Sequence, residues 1–366
     1  MNSLNDPIGA LISQRKEFVC YRLPGSPDPV MMINGHFREV SAKEVQCVSQ
    51  GFIVAPFFIS GSFPILLYSG GEKTSGWKTG LNQDFTALNI LEGKTNIPRL
   101  PCINRNEYLE KASGLLLQIK KGRLKKVVLS RVICQPLPEN FNPGSLFGAL
   151  CSKYPNAFVY IFSYAGGLCW MGASPETLLE VDNNLGFTMS LAGTRPAGKI
   201  PCKDEKWTAK EVEEQEIVST YIRDKLIESG LTEFAEEPIE CCVAGPVVHL
   251  LKRFRFKLPE GLNPLELAFA LHPTPAVCGL PQKEALKQIN LTETHERSYY
   301  GGFLGPIIKQ GNVRLFVNLR CMQFVHKFAH IFAGGGLLEG SDLEKEWDET
   351  CVKAETLISV IRNQSI

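Results

Sequence analysis

The chain has 366 residues, with 39 Lys and Arg against 38 Asp and Glu, for a net charge of +1. At 44% hydrophobic and 21% charged residues it can fill a large globular core, and wholesale disorder is excluded. The charge balance gives no electrostatic ground for expecting a nucleic acid or an anionic membrane as partner, although one basic pocket for a small anion would barely move the total.

The opening MNSLNDPIGALISQRK lacks a charged stretch ahead of a long apolar one, so no signal peptide is expected and a cytoplasmic setting is read. Up to about residue 100, apolar runs punctuated by Gly and Pro predict short strands and turns. Cys47–Gly71 is uncharged but holds Pro56 and Pro64, which favours two short buried strands around a turn over a membrane span. Polar residues 80–106, with Pro98 and Pro101, connect this strand-rich N-terminal part (1–100) to the remainder (101–366). Tyr108, Ala112, Leu115, Leu116 and Ile119 then fall at helical spacing, with Gly122 as the stop.

Strands are predicted at Lys126–Cys134, Phe158–Tyr164, Leu168–Gly172, Leu178–Val181 and Gly186–Leu191, and a long helix from about Glu205 to Ser229, ended by Gly230. Two more strands, Arg314–Cys321 and Phe324–Ala333, are closed by the run Gly334–Gly336. In the last helix Ser341 and Glu344 fit a capping box, and Trp347, Cys351, Ala354, Ile358 and Ile361 make the buried stripe. Strands fill the middle, long helices flank them, and no regular β-α alternation exists. The fold class is therefore α+β, with layered antiparallel sheets.

The 12 cysteines show no CxxC pair and no rhythm, and read as free, mostly buried thiols of a reducing compartment. His326 and His330, in FVHKFAHIF, read as exposed histidines of a hairpin with a Lys-containing turn rather than as metal ligands.

Four places resist a purely structural account. In KKVVLSR one lysine must face the apolar side of the strand. Lys126 is then either a strand-entry residue whose stem reaches water or a base with a lowered pKa. Glu176, in GASPETLLEV, is either a solvated turn carboxylate or, between its apolar flanks, an acid with a raised pKa. Glu214 falls on the apolar stripe of its helix, and Glu346, Glu349 and Lys353 form one line on the last helix. Such charged helices are ordinarily solvated. Two inward carboxylates without a Cys/His cluster suit a hard cation such as Mg²⁺, completed by water and a carboxylate substrate. Finally, AGGGLLEGS reads as a glycine turn between strand and helix, either bare or with amides free to bind an anion.

These blocks resemble the chorismate-utilising enzymes, the group of isochorismate synthase, salicylate synthase, anthranilate synthase component I and aminodeoxychorismate synthase. KVVLSR, GASPETLL, LAGTRPAG, KEVEEQEIV, LHPTPAVCG, ERSYYGGFLG, VNLRC and AGGGLLEGSDLEKEWDET occur in collinear order across about residues 105–362, and isochorismate synthase is the nearest pattern. The resemblance implies a large α+β domain of layered antiparallel sheets, with chorismate and Mg²⁺ in a deep cleft.

It also implies roles. Lys126 falls on the water-activating base and Glu176 on the acid that protonates the departing 4-hydroxyl. Glu214 and Glu349 fall on the Mg²⁺ ligands. Arg320, Lys353 and the amides of Gly335 and Gly336 fall on groups that hold the substrate carboxylates, while Gly193, Thr194 and Tyr300 line the cleft. Ala276 stands where members that go on to eliminate pyruvate tend to carry Thr, so the resemblance favours stopping at isochorismate, for menaquinone or siderophore formation. Salicylate synthase is the nearest alternative. Ammonia-using members usually need a glutaminase subunit, and none is expected here. Gln215 and Ala197 stand where a His and an Arg are common.

Overall fold

The computed structural model describes residues 7–59, 61–76, 99–164, 168–198, 206–309 and 311–365. Most of the expected 80–106 connection, and Glu205 at the expected helix start, lie outside them.

Among the described residues the strands form two large sheets in which every pair is antiparallel. In order, the first holds Gly279–Leu280, Lys126–Pro136, Phe328–Leu337, Cys321–Val325, Leu168–Ser174, Phe158–Tyr164, Phe18–Arg22, Val30–Ile33 and Glu72–Ser75. The second holds Phe234–Glu236, Val247–Lys257, Leu185–Pro196, Thr177–Asp182, Asn312–Val317, Phe303–Lys309, Gly51–Ala55, Ile65–Ser69 and His36–Val40, with Glu240–Ala244 also paired to Val247–Lys257. The fold is α+β with antiparallel sheets and flanking helices, as the pattern of elements implied. The uncharged Cys47–Gly71 segment is indeed two strands around a turn, paired Phe52↔Tyr68 through Val54↔Leu66. No helix is long and apolar enough to cross a membrane among the described residues.

Strand alternation sends one set of side chains between the sheets and the other outward. Tyr21, Tyr160, Trp170 and Phe332 of the first sheet meet Phe52, Tyr68, Leu304 and Phe316 of the second in an aromatic inner core. Phe158 stacks on Phe316 across the gap with ring centroids 4.1 Å apart, a contact worth about 1 kcal/mol beyond its burial. Outside the first sheet, Ala354, Leu357, Ile358 and Ile361 of the Leu343–Arg362 helix pack on Ala329, Ile331 and Ala333. Outside the second, Val218, Ile222 and Leu226 of the Ala209–Glu228 helix belong to the cluster holding Leu179 and Phe254.

Two of the chain's crossings between the sheets lie side by side, Ser174 to Thr177 and Val317 to Cys321. The crossings are tied together. The Val317 amide donates to Glu176 O at 3.0 Å, the Ala173 amide to Arg320 O at 3.0 Å, and Ser174 Oγ to Val317 O at 2.5 Å. Glu176 and Arg320 thus sit side by side.

Several expectations are corrected. Arg314–Cys321 is not one strand: pairing stops at Val317, and Arg320 takes a left-handed φ of 48° in the turn. The run Gly334–Gly336 is not a turn but the end of the Phe328–Leu337 strand, paired Gly334↔Ser130 to Gly336↔Val128. The cap of the last helix is Asp342, whose side chain accepts from the Glu344 and Lys345 amides, while Ser341 Oγ donates instead to Glu346 Oε1 at 2.9 Å. His330 is fully buried, with neither ring nitrogen partnered, because its place in the strand points it inward. Among the described residues ten cysteines are free, but Cys241 is disulfide-bonded.

Candidate active site

Glu176 follows Pro175, which lacks an N–H and so ends the sheet ladder at the crossing. Its side chain is only 2% exposed. Burial pushes the carboxyl up to about 8, against the pull of Lys126, Lys353 and Arg320, so it holds its proton at neutral pH.

Lys126 opens its strand facing inward, fully buried, while Lys125 faces solvent. Its Nζ lies 2.9 Å from Glu214 Oε1. Glu214 comes from the Ala209–Glu228 helix, where the apolar-stripe position carries it inside. Burial opposes its charge, but Lys126 and Lys210 together hold it below the usual carboxylate range.

The last helix supplies Glu346, Glu349 and Lys353. Lys353 Nζ is 2.5 Å from Glu349 Oε1 and donates to Gly334 O at 2.9 Å. Lys210 Nζ is 2.5 Å from Glu346 Oε1. Burial, Glu349 and Glu214 raise Glu346 to about 7 even with Lys210 alongside, and its Oε2 is buried without a hydrogen-bond partner. Burial lowers the Lys210 ammonium, but Glu214, Glu346 and Glu349 hold it above its ordinary value. One cation therefore already feels all three carboxylates.

That arrangement bears on Mg²⁺. Among the described residues no three His, Cys, Asp or Glu side chains converge as a ready-made cage. Mg²⁺ does not require one, since it keeps several waters and is usually held by one or two carboxylates. All-oxygen donors, mutual carboxylate repulsion and the orphaned Glu346 oxygen fit a hard divalent cation.

The cleft between these elements is narrow in this structure, with a cavity of about 60 Å³. Glu176, Thr194, Glu214, Ala276, Tyr300, Arg320, Gly336 and Lys353 line it. Four other residues named from the sequence do not form its wall. Lys126 lies just behind, against Glu214. Glu349 is reached through Lys353. Gly193 (φ 66°) is the left-handed residue of a bulge between Ala192 and Thr194, which re-aims Thr194.

Gly335 is the fourth. Because Gly334 turns its carbonyl to Lys353, Gly334 and Gly336 direct their peptide groups away from the Lys126–Pro136 strand, while Gly335 directs its own into the ladder. Gly336, with Gly334 in place of Gly335, therefore offers amides to the site. A Cβ on Gly336 would lie 2.6 Å from Glu214 Oε1 and 3.2 Å from Lys126 Cε, so only glycine lets this carboxylate and lysine approach.

Arg320 is placed to receive an anion. Among the described residues no carboxylate lies within ion-pair reach, and its Nη1 is buried without a partner. Burial pulls it down to about 10, opposed by Glu349, which leaves it charged at neutral pH.

Sequence reasoning missed His249. Its Nε2 lies 3.4 Å from Arg320 Nη2 and its Nδ1 3.1 Å from Thr194 Oγ1. Burial, then Arg320 and Lys353, push it well below its ordinary pKa, so it is neutral. In VVHLLK it reads as any strand residue, and only the register Thr194↔His249 brings it to the cleft. Gln215 is fully buried and donates to Ser190 Oγ at 2.8 Å, a role within the core.

The site thus combines one protonated carboxyl, one buried lysine, a carboxylate group fit for a cation, and a buried guanidinium with no carboxylate partner among the described residues. The chain belongs to the chorismate binding enzyme family, whose sequence profile matches residues 78–362. It is 32% identical over 260 residues to the salicylate biosynthesis isochorismate synthase of Pseudomonas aeruginosa, covering 69% of this chain and 54% of that one. It is 30% identical over 267 residues to anthranilate synthase component 1 of Thermus thermophilus, covering 70% and 57%. The match therefore spans little more than half the length of these relatives. The solved structure of MenF, the menaquinone-specific isochorismate synthase of Escherichia coli, shares the fold with a TM-score of 0.77 at 18% identity, covering 98% of this chain and 92% of that one.

Proposed function

We propose that the protein is an isochorismate synthase, dependent on Mg²⁺, that adds water at C2 of chorismate as the C4 hydroxyl leaves. The observation that carries this reading is Glu176, a buried carboxyl protonated at neutral pH and within the electrostatic reach of Lys126. Water addition with loss of hydroxide needs one base and one acid; Glu176 in the cleft wall suits the acid, and Lys126, just behind the wall, is the candidate base.

Lys126 Nζ, acting as the free amine, takes the proton of the attacking water. Glu176 gives its proton to the departing C4 oxygen, so water leaves and the overall composition of the substrate is unchanged. Arg320 and Lys353 bind the two substrate carboxylates, helped by the Gly336 amide. Tyr300 and Ala276 border the ring, and Thr194, aimed by the Gly193 bulge, orients it. Mg²⁺, held by Glu214 and Glu349, would neutralise the ring carboxylate and fix its position. The reading includes a cytoplasmic setting, no obligatory glutaminase subunit, and a product for menaquinone or siderophore formation.

The test is incubation with chorismate and Mg²⁺, without ammonia, followed by chromatography of the products. Isochorismate alone supports the proposal. Salicylate with pyruvate would keep the site but reject the reading of Ala276. The Thermus thermophilus relative gives a second reading weight, and product formed only with added ammonium would establish that one instead.

A further inference from the structure

One buried ion pair has no part in the proposed chemistry. Glu293 and Arg297 follow the Gln282–Thr292 helix, with side chains 2% and 1% exposed. Arg297 Nη2 donates to Glu293 Oε1 at 2.6 Å and Nε to Oε2 at 2.8 Å, a two-pronged pairing with directional strength. Its other donors reach main-chain carbonyls: Nη1 to Val277 O at 2.7 Å and Nη2 to Val128 O at 2.8 Å. Glu293 Oε1 accepts from the Ser130 amide at 2.7 Å and from Ser130 Oγ at 2.9 Å. The guanidinium lies 4.3 Å from the Phe57 ring centroid, and the Tyr300 amide donates to Arg297 O at 2.8 Å.

Every bond runs to a segment that carries a proposed site residue. Val128 and Ser130 lie on the strand that Lys126 opens, Val277 follows Ala276, and Tyr300 borders the ring. A buried ion pair is weak evidence for stability, since apolar residues of similar volume often do as well. What an apolar substitute could not do is fix two carbonyl oxygens and one serine at set distances.

We infer that Arg297, oriented by Glu293, is a positioning residue that sets the spacing between the Lys126 strand and the adjacent Ala276–Val277 loop at the edge of the cleft. What it positions rests on the function proposed above; that it fixes the two segments does not.

The test compares Arg297→Lys with the wild type in two assays. Lysine keeps the charge but cannot hold both carboxylate oxygens and both carbonyls. With chorismate and Mg²⁺, kcat should fall about 100-fold, the cost of a displacement of about 1 Å, while KM stays within a few-fold. In hydrogen–deuterium exchange, segments 126–131 and 274–280 should exchange faster, because Val128 N–H to Cys278 O and the Gly279↔Val127 pairing join them, while Phe158–Tyr164 stays unchanged. Ser130→Ala, a milder change, should keep the fold and lower kcat about fivefold.

Faster exchange everywhere with unchanged kcat per folded molecule would reduce Arg297 to a general structural role. Unchanged exchange at both segments would overturn the inference. A wild type that makes no product from chorismate would sink the functional reading alone, and the exchange comparison would still decide whether Arg297 fixes the segments.

Discussion

Glu176→Gln separates the proton on Glu176 from its shape. The carboxyl sits at about 8 in the folded protein and near 4.5 when unfolded, so between those values the native state holds a proton that the unfolded chain has lost. Wild-type stability should therefore fall as pH rises across this interval, by about 1.4 kcal/mol per pH unit. Glutamine has no such linkage. Urea unfolding of both proteins at pH 6 and pH 8 should show the variant gaining about 2 kcal/mol on the wild type between the two, because at pH 8 the wild-type carboxyl is only half ionised. In kinetics, wild-type kcat should fall as pH rises through about 8, when the acid ionises, and the variant should lose on the order of 10²–10⁴ in kcat below that pH, the gap narrowing above it. Parallel unfolding curves for the two proteins, with a variant retaining more than about a hundredth of kcat, would refute both the raised pKa and the acid role.

Other changes test the remaining parts. Lys126→Ala should lower kcat at least about 100-fold. It should also cost roughly 3 kcal/mol in urea unfolding without Mg²⁺, because Glu214 loses its closest buried partner. Glu349→Gln should raise the Mg²⁺ concentration for half-maximal activity on the order of 10- to 100-fold, and an unchanged titration would remove Glu349 from the metal site. Gly336→Ala drives a methyl against Glu214 Oε1 and should shift the same titration about tenfold; full activity there would mean the carboxylate needs no such close approach.

The architecture was legible because its elements obey local rules. Period-two alternation located the middle strands, helical spacing located Tyr108–Ile119, and an apolar stripe carried Glu214 inside. Lys126 and Glu176 stood out because apolar flanks force a charge inward. What stayed hidden depended on pairing between distant segments. His249 reaches the cleft only through its register with Thr194. The glycine run pairs with Val128–Ser130 in place of turning, so which amides face the site followed from a ladder no local pattern reveals. Arg297 and Glu293 are four apart like any solvated helix pair, and nothing local says that their partners are Val128, Val277 and Ser130.

The most direct measurement of the central claim is turnover of chorismate in ¹⁸O-labelled water with Mg²⁺ and no ammonia, with early product examined by mass spectrometry. If Lys126 activates solvent water and Glu176 releases the C4 oxygen, isochorismate should carry one ¹⁸O, at the C2 hydroxyl. Unlabelled isochorismate, formed by migration of the original hydroxyl, would contradict the acid–base pair at the centre of the site.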